Sequence, residues 1–121
     1  MLLADDYGDA AEMWALFLRG HGFDVVTARD GLRALQLAIA GALDAVILDL
    51  DLPALSGWDV AASLRARRDT AHLPLIAATG WSDPAGEAPR LAPFDGRLTK
   101  PVDPDALLAE LERVLHVERH P

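Results

Sequence analysis

The chain has 121 residues, which is the size of one domain spanning 1–121. Its composition of 51% hydrophobic and 25% charged residues is typical of a globular protein and argues against disorder. A formal charge of -8 argues against direct binding to nucleic acid, and the absence of cysteine excludes disulfides, thiolate metal sites and thiol catalysis. No apolar run is long enough to span a membrane and the start lacks a signal-peptide pattern, so we expect a cytoplasmic protein with no membrane partner.

Short apolar runs alternate with segments of helical spacing five times along the chain, which is typical of an α/β succession with a parallel sheet. The run at 45–48 is rich in β-branched residues and predicts a central strand that is covered on both faces. The predicted strands are 1–4, 23–28, 45–48, 75–79 and 94–99. Each is followed by a segment that we interpret as a helix.

The first two helices are predicted from their caps and apolar spacing. Asp9 is a candidate N-cap for the first helix, which Gly22 would end. Asp30 is the candidate cap of the second helix, which Gly41 would end. The predicted buried faces are Ala10, Met13, Trp14, Phe17 and Leu18 in the first helix, and Leu32, Leu35 and Ile39 in the second.

The later helices have different signals. Ser56 with Asp59 approximates a capping box and predicts a third helix through Leu64. Three prolines and one glycine between 82 and 93 predict a fourth helix that is short or irregular. Asp103 and Pro104 predict the start of a fifth helix, whose buried face would be Leu107, Leu108, Leu111, Val114 and Leu115.

Polar side chains follow four of the predicted strands. Asp5 and Asp6 follow the first, Asp49 the third, Thr79 closes the fourth, and Lys100 follows the fifth. Because the carboxyl ends of parallel strands meet at one edge of a sheet, we expect these side chains to converge. Like-charged carboxylates held close repel one another unless a cation lies among them, so the cluster predicts a hard divalent metal such as Mg²⁺. With Lys100 and Thr79 as donors to phosphoryl oxygens, the set suits phosphoryl transfer.

These residues resemble the motif set of the receiver domains of two-component response regulators, over nearly the whole chain. The acidic pair matches Asp5 and Asp6, the phosphoacceptor aspartate with its following proline and glycine matches Asp49, Pro53 and Gly57, and the switch hydroxyl matches Thr79. The Lys-Pro pair after the last strand matches Lys100 and Pro101.

The resemblance implies a flavodoxin-like doubly wound sheet in the order 2-1-3-4-5 and a cis Lys100-Pro101 peptide. It implies that Asp49 takes a phosphoryl group from a sensor histidine kinase or a histidine phosphotransfer protein, and that Thr79 and Lys100 bind the acyl phosphate. Asp5, Asp6, Asp49 and the main-chain carbonyl of Asp51 would hold Mg²⁺. The expected role is that of a switch, not an enzyme, which signals to an unknown downstream protein either alone or as part of a hybrid kinase.

The chain departs from the family pattern at Arg97, where an aromatic residue is expected, and in an interval from Thr79 to Lys100 that is about one residue short. Two alternatives stay open. Asp49 and Asp51 also imitate the Asp-x-Asp motif of Mg-dependent haloacid-dehalogenase-like phosphatases, although Pro53 does not fit that motif. A non-phosphorylated binding module with the same fold is the third interpretation.

The remaining candidates have structural interpretations. We expect Trp58 to pack in the core or a helix groove, while Trp81 could cover the mouth of the site or pack on the surface. The four histidines have no metal-ligand spacing, and we interpret His21, His72, His116 and His120 as structural or solvated. We interpret Arg65, Arg67 and Arg68 as the solvated last turn of the third helix.

Overall fold

The computed structural model describes residues 1–80 and 93–119, with side-chain detail to residue 115. Its strands are β1 (Leu2–Ala4), β2 (Val26–Ala28), β3 (Val46–Asp49), β4 (Leu75–Thr79) and β5 (Gly96–Thr99). Its helices within the described ranges are α1 (Gly8–Gly20), α2 (Gly31–Ala40), α3 (Gly57–Ala66) and α4 (Pro104–Arg119). The predicted irregular helix between the fourth and fifth strands lies outside the described residues.

All five strands are parallel and form one sheet in the order β2-β1-β3-β4-β5. The predicted flavodoxin-like, doubly wound α/β fold is therefore confirmed. In this register Asp49 pairs with Ala78, and Thr79 pairs with Thr99. The carboxyl ends of β1, β3, β4 and β5 thus share one edge of the sheet.

Alternate strand residues enter two separate cores, as expected for a sheet that is covered on both faces. Leu3 and Ile47 pack on the side of α1 and α4. Leu2 and Val46 pack on the side of α2 and α3. The alternation fixes which side of the sheet each strand-end residue faces.

Helix α1 begins one residue earlier than its predicted cap. Tyr7 occupies the N-cap position without a side-chain hydrogen bond, and Asp9 lies in the first turn, where a negative charge suits the helix dipole. The predicted apolar face is correct for Leu18, which is buried, but wrong for Met13, which is 63% exposed. The helix ends at Gly20, and Gly22 follows with a φ of 92°.

Helix α2 has the predicted ends but a different buried face. Asp30 accepts a hydrogen bond from the amide of Arg33 at 2.7 Å, and Gly41 ends the helix with a φ of 93°. The prediction that Leu32 lies in the buried stripe is wrong, because its side chain is 52% exposed. The fully buried positions of α2 are instead the small residues Gly31, Ala34 and Ala38.

Helix α3 is capped as predicted, because the Ser56 hydroxyl accepts a hydrogen bond from the amide of Asp59 at 3.2 Å. The interpretation of its arginines is wrong for Arg65. Its guanidinium donates to the carbonyls of Ala71, Leu73 and Pro93 and to the carboxylate of Asp95, at 2.6 to 3.0 Å. Arg65 therefore ties the end of α3 to the starts of β4 and β5.

Strands β2 and β5 and helix α4 also differ from the prediction at one end, and the ends of β1 and β3 differ by single residues. Strand β2 begins at Val26 instead of Phe23, because the amide of Phe23 still bonds the Leu18 carbonyl in the turn after α1. Strand β5 begins at Gly96 instead of Phe94. Helix α4 starts at Pro104 as predicted but continues to Arg119, beyond the predicted buried face. Within the described ranges, no helix has both the length and the apolar character needed to cross a bilayer.

Strand β5 lies at the edge of the sheet, where its outward amides lack a neighbouring strand. The carboxylate of Glu110 on α4 accepts a hydrogen bond from the Arg97 amide at 2.9 Å and pairs with Arg113 at 2.6 Å. Partial burial opposes ionisation of Glu110, but these hydrogen bonds outweigh it and hold its pKa below the usual value. The Arg113 guanidinium also donates to the Asp95 carbonyl at 2.8 Å. Side chains of α4 therefore bind the main chain at the start of the edge strand by hydrogen bonds.

Candidate functional site

The predicted acidic cluster is present at the carboxyl edge of the sheet. Asp5 and Asp6 follow β1, Asp49 closes the neighbouring strand β3, and one carboxylate oxygen from each lies within 4.8 Å of the others. Asp5 and Asp49 are buried, whereas Asp6 is exposed. The register of β1 against β3 therefore brings together residues that are more than forty positions apart.

Main-chain amides fix the two buried carboxylates. The Tyr7 amide donates to Asp5 Oδ1 at 2.9 Å, and the Asp51 amide donates to Asp49 Oδ1 at 3.0 Å. Each aspartate thus ends its strand with a local turn that uses one oxygen and leaves the other directed elsewhere. Asp51 itself is exposed, and the predicted role of its carbonyl stays a prediction.

Lys100 is the cation of the cluster. Its ammonium lies 2.7 Å from Asp49 Oδ2 and 3.6 Å from Asp5 Oδ2. Burial alone would lower the pKa of Lys100, but the hydrogen bond and charge of Asp49 outweigh it and raise that pKa. Burial raises the pKa of Asp5, against the amide of Tyr7 and the charge of Lys100. The predicted cis Lys100-Pro101 peptide is confirmed.

Thr79 is buried at the end of β4, between the strands that carry Asp49 and Lys100. Its carbonyl accepts a hydrogen bond from the Lys100 amide at 2.7 Å, and the neighbouring Ala78 carbonyl accepts one from Leu50 at 3.1 Å. Main-chain hydrogen bonds therefore connect the carboxyl ends of β3, β4 and β5. All five predicted side chains lie at this one edge.

Two glycines let the loop after β3 pack tightly against the site. A Cβ on Gly57 would overlap the main-chain carbonyl of Asp49, and the Gly57 amide bonds the Leu50 carbonyl at 3.1 Å. A Cβ on Gly31 would overlap the carbonyl of Leu55. The motif identified Gly57, but the sequence analysis missed Gly31. Its signal was a glycine in the first turn of a helix, where its conformational freedom brings no local benefit.

Of the remaining candidates, the structure describes Arg97 and Trp58. Arg97 is exposed on β5, as a charged side chain at an edge strand should be. Trp58 is half-buried and packs edge-on against Phe94 with ring centroids 6.1 Å apart, in agreement with a packing role. Trp81 lies outside the described residues.

The two histidines whose side chains are described have no part in the cluster. His72 is exposed, and His21 is exposed with a ring nitrogen 3.0 Å from the Phe17 carbonyl. Over residues 1–80 and 93–115, the residues grouped closely enough to hold a metal ion are the three aspartates alone. His116 and His120 lie outside the described side chains.

Comparisons with known proteins agree with this geometry. A family model of the response regulator receiver domain matches residues 1–112. The DNA-binding response regulator MtrA of Mycobacterium tuberculosis is 35% identical over 112 residues, which is 92% of this chain and 48% of MtrA. The sensory transduction protein RegX3 of the same organism is 34% identical over 116 residues, 95% of this chain and 50% of RegX3.

Solved structures give the same result. The chemotaxis response regulator CheY4 of Vibrio cholerae has a TM-score of 0.85 and 30% identity, with 93% of this chain and 95% of that chain covered. The receiver domain of a sensor histidine kinase from Pseudomonas aeruginosa, which has a magnesium ion coordinated in its active site cleft, has a TM-score of 0.86 and 27% identity, with 95% of each chain covered.

The chain spans about half the length of the curated relatives that it matches. Residues 1–112 of this chain, which the family model matches, include the acidic pair, the strand-end aspartate and the lysine that form the edge described above. This chain therefore belongs to the response regulator receiver domain family, whose members act in two-component phosphorelay signalling.

Proposed function

We propose that Asp49 is the phosphoacceptor of this receiver domain. The observation that supports this role is the ammonium of Lys100, 2.7 Å from Asp49 Oδ2, beside two further carboxylates. A carboxylate oxygen of Asp49 would attack the phosphorus of a phosphohistidine on a kinase or phosphotransfer protein. The P–N bond breaks, the imidazole leaves with the electron pair and takes up a proton, and an acyl phosphate forms on Asp49.

Lys100 and Thr79 would bind the transferred group. When the phosphoryl group arrives, the Lys100 ammonium exchanges its bond to Asp49 for one to a phosphoryl oxygen, and the Thr79 hydroxyl can donate to another. The main-chain bond between Thr79 and Lys100 holds the two donors in register. Their positions follow from the fold and need no rearrangement of the sheet.

Receiver domains bind Mg²⁺ at an acidic cluster, and the residues here fit that ion. Three carboxylates within 4.8 Å of one another are hard oxygen donors, and one lysine leaves them with an excess of negative charge. Asp5, Asp6 and Asp49, with the carbonyl of Asp51, would hold the ion. Bound Mg²⁺ would neutralise charge on the incoming phosphoryl oxygens.

The direct test is to incubate the protein with a small phosphodonor and Mg²⁺ and to measure the intact mass. The parent chain should gain one phosphate, and Asp49→Asn should gain none. Asp51→Asn is the matched control, because Asp51 is the second carboxylate of the Asp-x-Asp sequence but is exposed. Phosphate on Asp49→Asn would contradict the assignment of Asp49. Loss of phosphate in Asp51→Asn would favour the phosphatase-like alternative, in which the second carboxylate takes part in the chemistry.

The signalling partners are proposed on the same basis. A histidine kinase or phosphotransfer protein would donate the phosphoryl group, and a downstream protein would recognise the phosphorylated form. DNA binding is named for MtrA, a protein about twice as long as this chain. The charge of -8 on these 121 residues supports a protein partner over nucleic acid.

A further inference from the structure

A cavity of about 400 Å³ opens beside the acidic cluster, on the face of the sheet that α1 and α4 cover. Its floor is formed by strand residues that include Ile47 and Ala78, and its walls by Trp14 of α1 and Leu107 of α4. This volume is within the range of small-molecule sites, which are mostly apolar with a few polar groups at one end. The site proposed above, by contrast, consists of charged and polar groups.

The packing of the sheet is incomplete at this cavity. Ala78 and Leu98, which line it, keep 6% and 5% exposure although they lie within the sheet. On the opposite face of the sheet, near the same edge, Leu48 and Ala77 are fully covered at 0%. The two faces therefore differ at this edge, and the covering helix leaves space on one of them.

The residues that leave this space are on α1 and the turn before it. Ala10 lines the cavity with only a methyl group. Tyr7 and Met13 also line it but are 73% and 63% exposed, so they form its rim and do not fill it. A larger side chain at position 10 would occupy the space. The rim offers an aromatic ring and a polarizable thioether, which suit contact with a flat apolar body.

The polar end of the cavity determines the charge of its ligand. Asp5 and Lys100 both line it. The Lys100 ammonium is already bound by Asp49 and lies 3.6 Å from Asp5. Asp6 and Asp49 do not line the cavity but lie within 4.8 Å of Asp5, so the cluster at this end has three carboxylates against one ammonium. Its net negative charge favours a cation over an anion.

We propose that this cavity binds a small amine with an apolar, aromatic body, whose ammonium lies against Asp5 while its body fills the space between α1 and the sheet. Such a ligand would place a positive charge beside the carboxylates that are proposed to hold Mg²⁺. Its binding would therefore compete with the metal and oppose phosphorylation. The binding itself does not depend on the proposed function, but the competition does.

Three probes with the same body separate charge from apolar contact: naphthylmethylamine, naphthylmethanol and naphthylacetate. Calorimetric titration in EDTA should give binding of the amine that is about tenfold tighter than that of the alcohol, with the acetate weakest. Ala10→Leu should weaken the amine by about tenfold by filling the cavity. Ala62→Leu makes the same change on the exposed side of α3 and should bind like the parent.

Thermal melting of each variant shows whether it is folded. If Ala10→Leu does not fold, Asp5→Asn provides the second test, because it should remove the preference for the amine over the alcohol. Equal binding of all three probes, tighter binding of the acetate, or an amine affinity unchanged in both Ala10→Leu and Asp5→Asn would overturn the proposal. A titration in Mg²⁺ should weaken the amine and leave the alcohol unchanged. The amine affinity could instead fall in Ala10→Leu but be the same with and without Mg²⁺. That result would support the cavity site and contradict the assignment of the aspartates as metal ligands.

Discussion

Arg65 should be one of the most important polar side chains for the stability of this fold. Its side chain is only 24% exposed and donates four hydrogen bonds, to three carbonyls and to Asp95. The carbonyl of Ala71 and the carboxylate of Asp95, whose side chain is 46% exposed, can bond water once the arginine is removed. The two part-buried carbonyls, of Leu73 and Pro93, lose about 1 kcal/mol each, so Arg65→Ala should lower the free energy of unfolding by about 2 kcal/mol. For a domain of this size, the melting temperature should fall by about 8 °C.

Arg67 is the matched control, two residues further along the chain. Its guanidinium also pairs with a carboxylate, that of Asp69, but both side chains are largely exposed. Exposed ion pairs contribute little, so Arg67→Ala should leave the melting temperature nearly unchanged. The assay is thermal unfolding followed by circular dichroism. Equal losses in Arg65→Ala and Arg67→Ala would refute the argument that the carbonyl contacts of Arg65 are what stabilise the fold.

Three other predictions concern Gly57, with Gly20 as its matched control, Glu110 and Lys100. Gly57→Ala should destabilise the protein by about 1–3 kcal/mol in denaturant unfolding, because the added Cβ overlaps the Asp49 carbonyl. Gly20→Ala, where no atom lies within 4 Å of an added Cβ, should cost nothing. The lowered pKa of Glu110 means that its ionised form contributes stability above the usual value of 4.5, and this contribution is lost as the pH falls through the lower folded-state pKa. Glu110→Gln should therefore lose less stability than the parent as the pH falls below 4.5. The raised pKa of Lys100 means that its contribution is complete below 10.5 and is lost at higher pH, so Lys100→Met should unfold with a weaker alkaline dependence.

The site could be predicted because it depends on the topology of the sheet more than on detailed packing. Asp49 ends an apolar strand, and any parallel sheet built from successive βα units brings its strand ends to one edge. The partners of Asp49 needed only to follow other strands, as Asp5 and Lys100 do. No distance had to be known in advance for their convergence to be expected.

The predictions failed where close packing overrides apolar periodicity. In α2, a pattern based on large side chains selected Leu32, but the helix packs with Gly31 and Ala34 at its contact face. A helix that approaches its neighbour closely must present small residues, and its larger side chains are moved to the flanks. Hydrophobic spacing alone cannot distinguish these two arrangements.

The network of Arg65 had no signature in the sequence for a different reason. Its acceptors are mainly carbonyls, which every residue has. The carbonyl of Pro93 and the carboxylate of Asp95 lie 28 and 30 positions away along the chain. Only the folded chain shows that the end of α3 lies close to Pro93 and Asp95. An arginine in the last turn of a helix was therefore interpreted by its local environment, where solvation is the usual outcome.

Arg97 bears on how phosphorylation would be transmitted. The resemblance to receiver domains places an aromatic ring at this position, and a ring can move between exposed and buried positions at moderate cost. In this chain the Arg97 side chain is exposed and its amide is bonded to Glu110. A guanidinium is costly to bury without a partner, so a switch that depends on burial of this side chain is disfavoured.

The response should then depend on Thr79 and not on Arg97. Thr79 is buried at the end of the strand next to that of the proposed acceptor, and its carbonyl accepts a hydrogen bond from the Lys100 amide. A phosphoryl group on Asp49 would therefore act on it directly. Arg97→Ala should not change the amount of phosphate incorporated. It should also not change the difference in amide hydrogen exchange that a phosphoryl mimic produces. Thr79→Ala should still accept phosphate but show a smaller exchange response. A response that is lost in Arg97→Ala and kept in Thr79→Ala would assign the switch to the arginine, and the exposed side chain on the edge strand would need a bound carboxylate in the phosphorylated state.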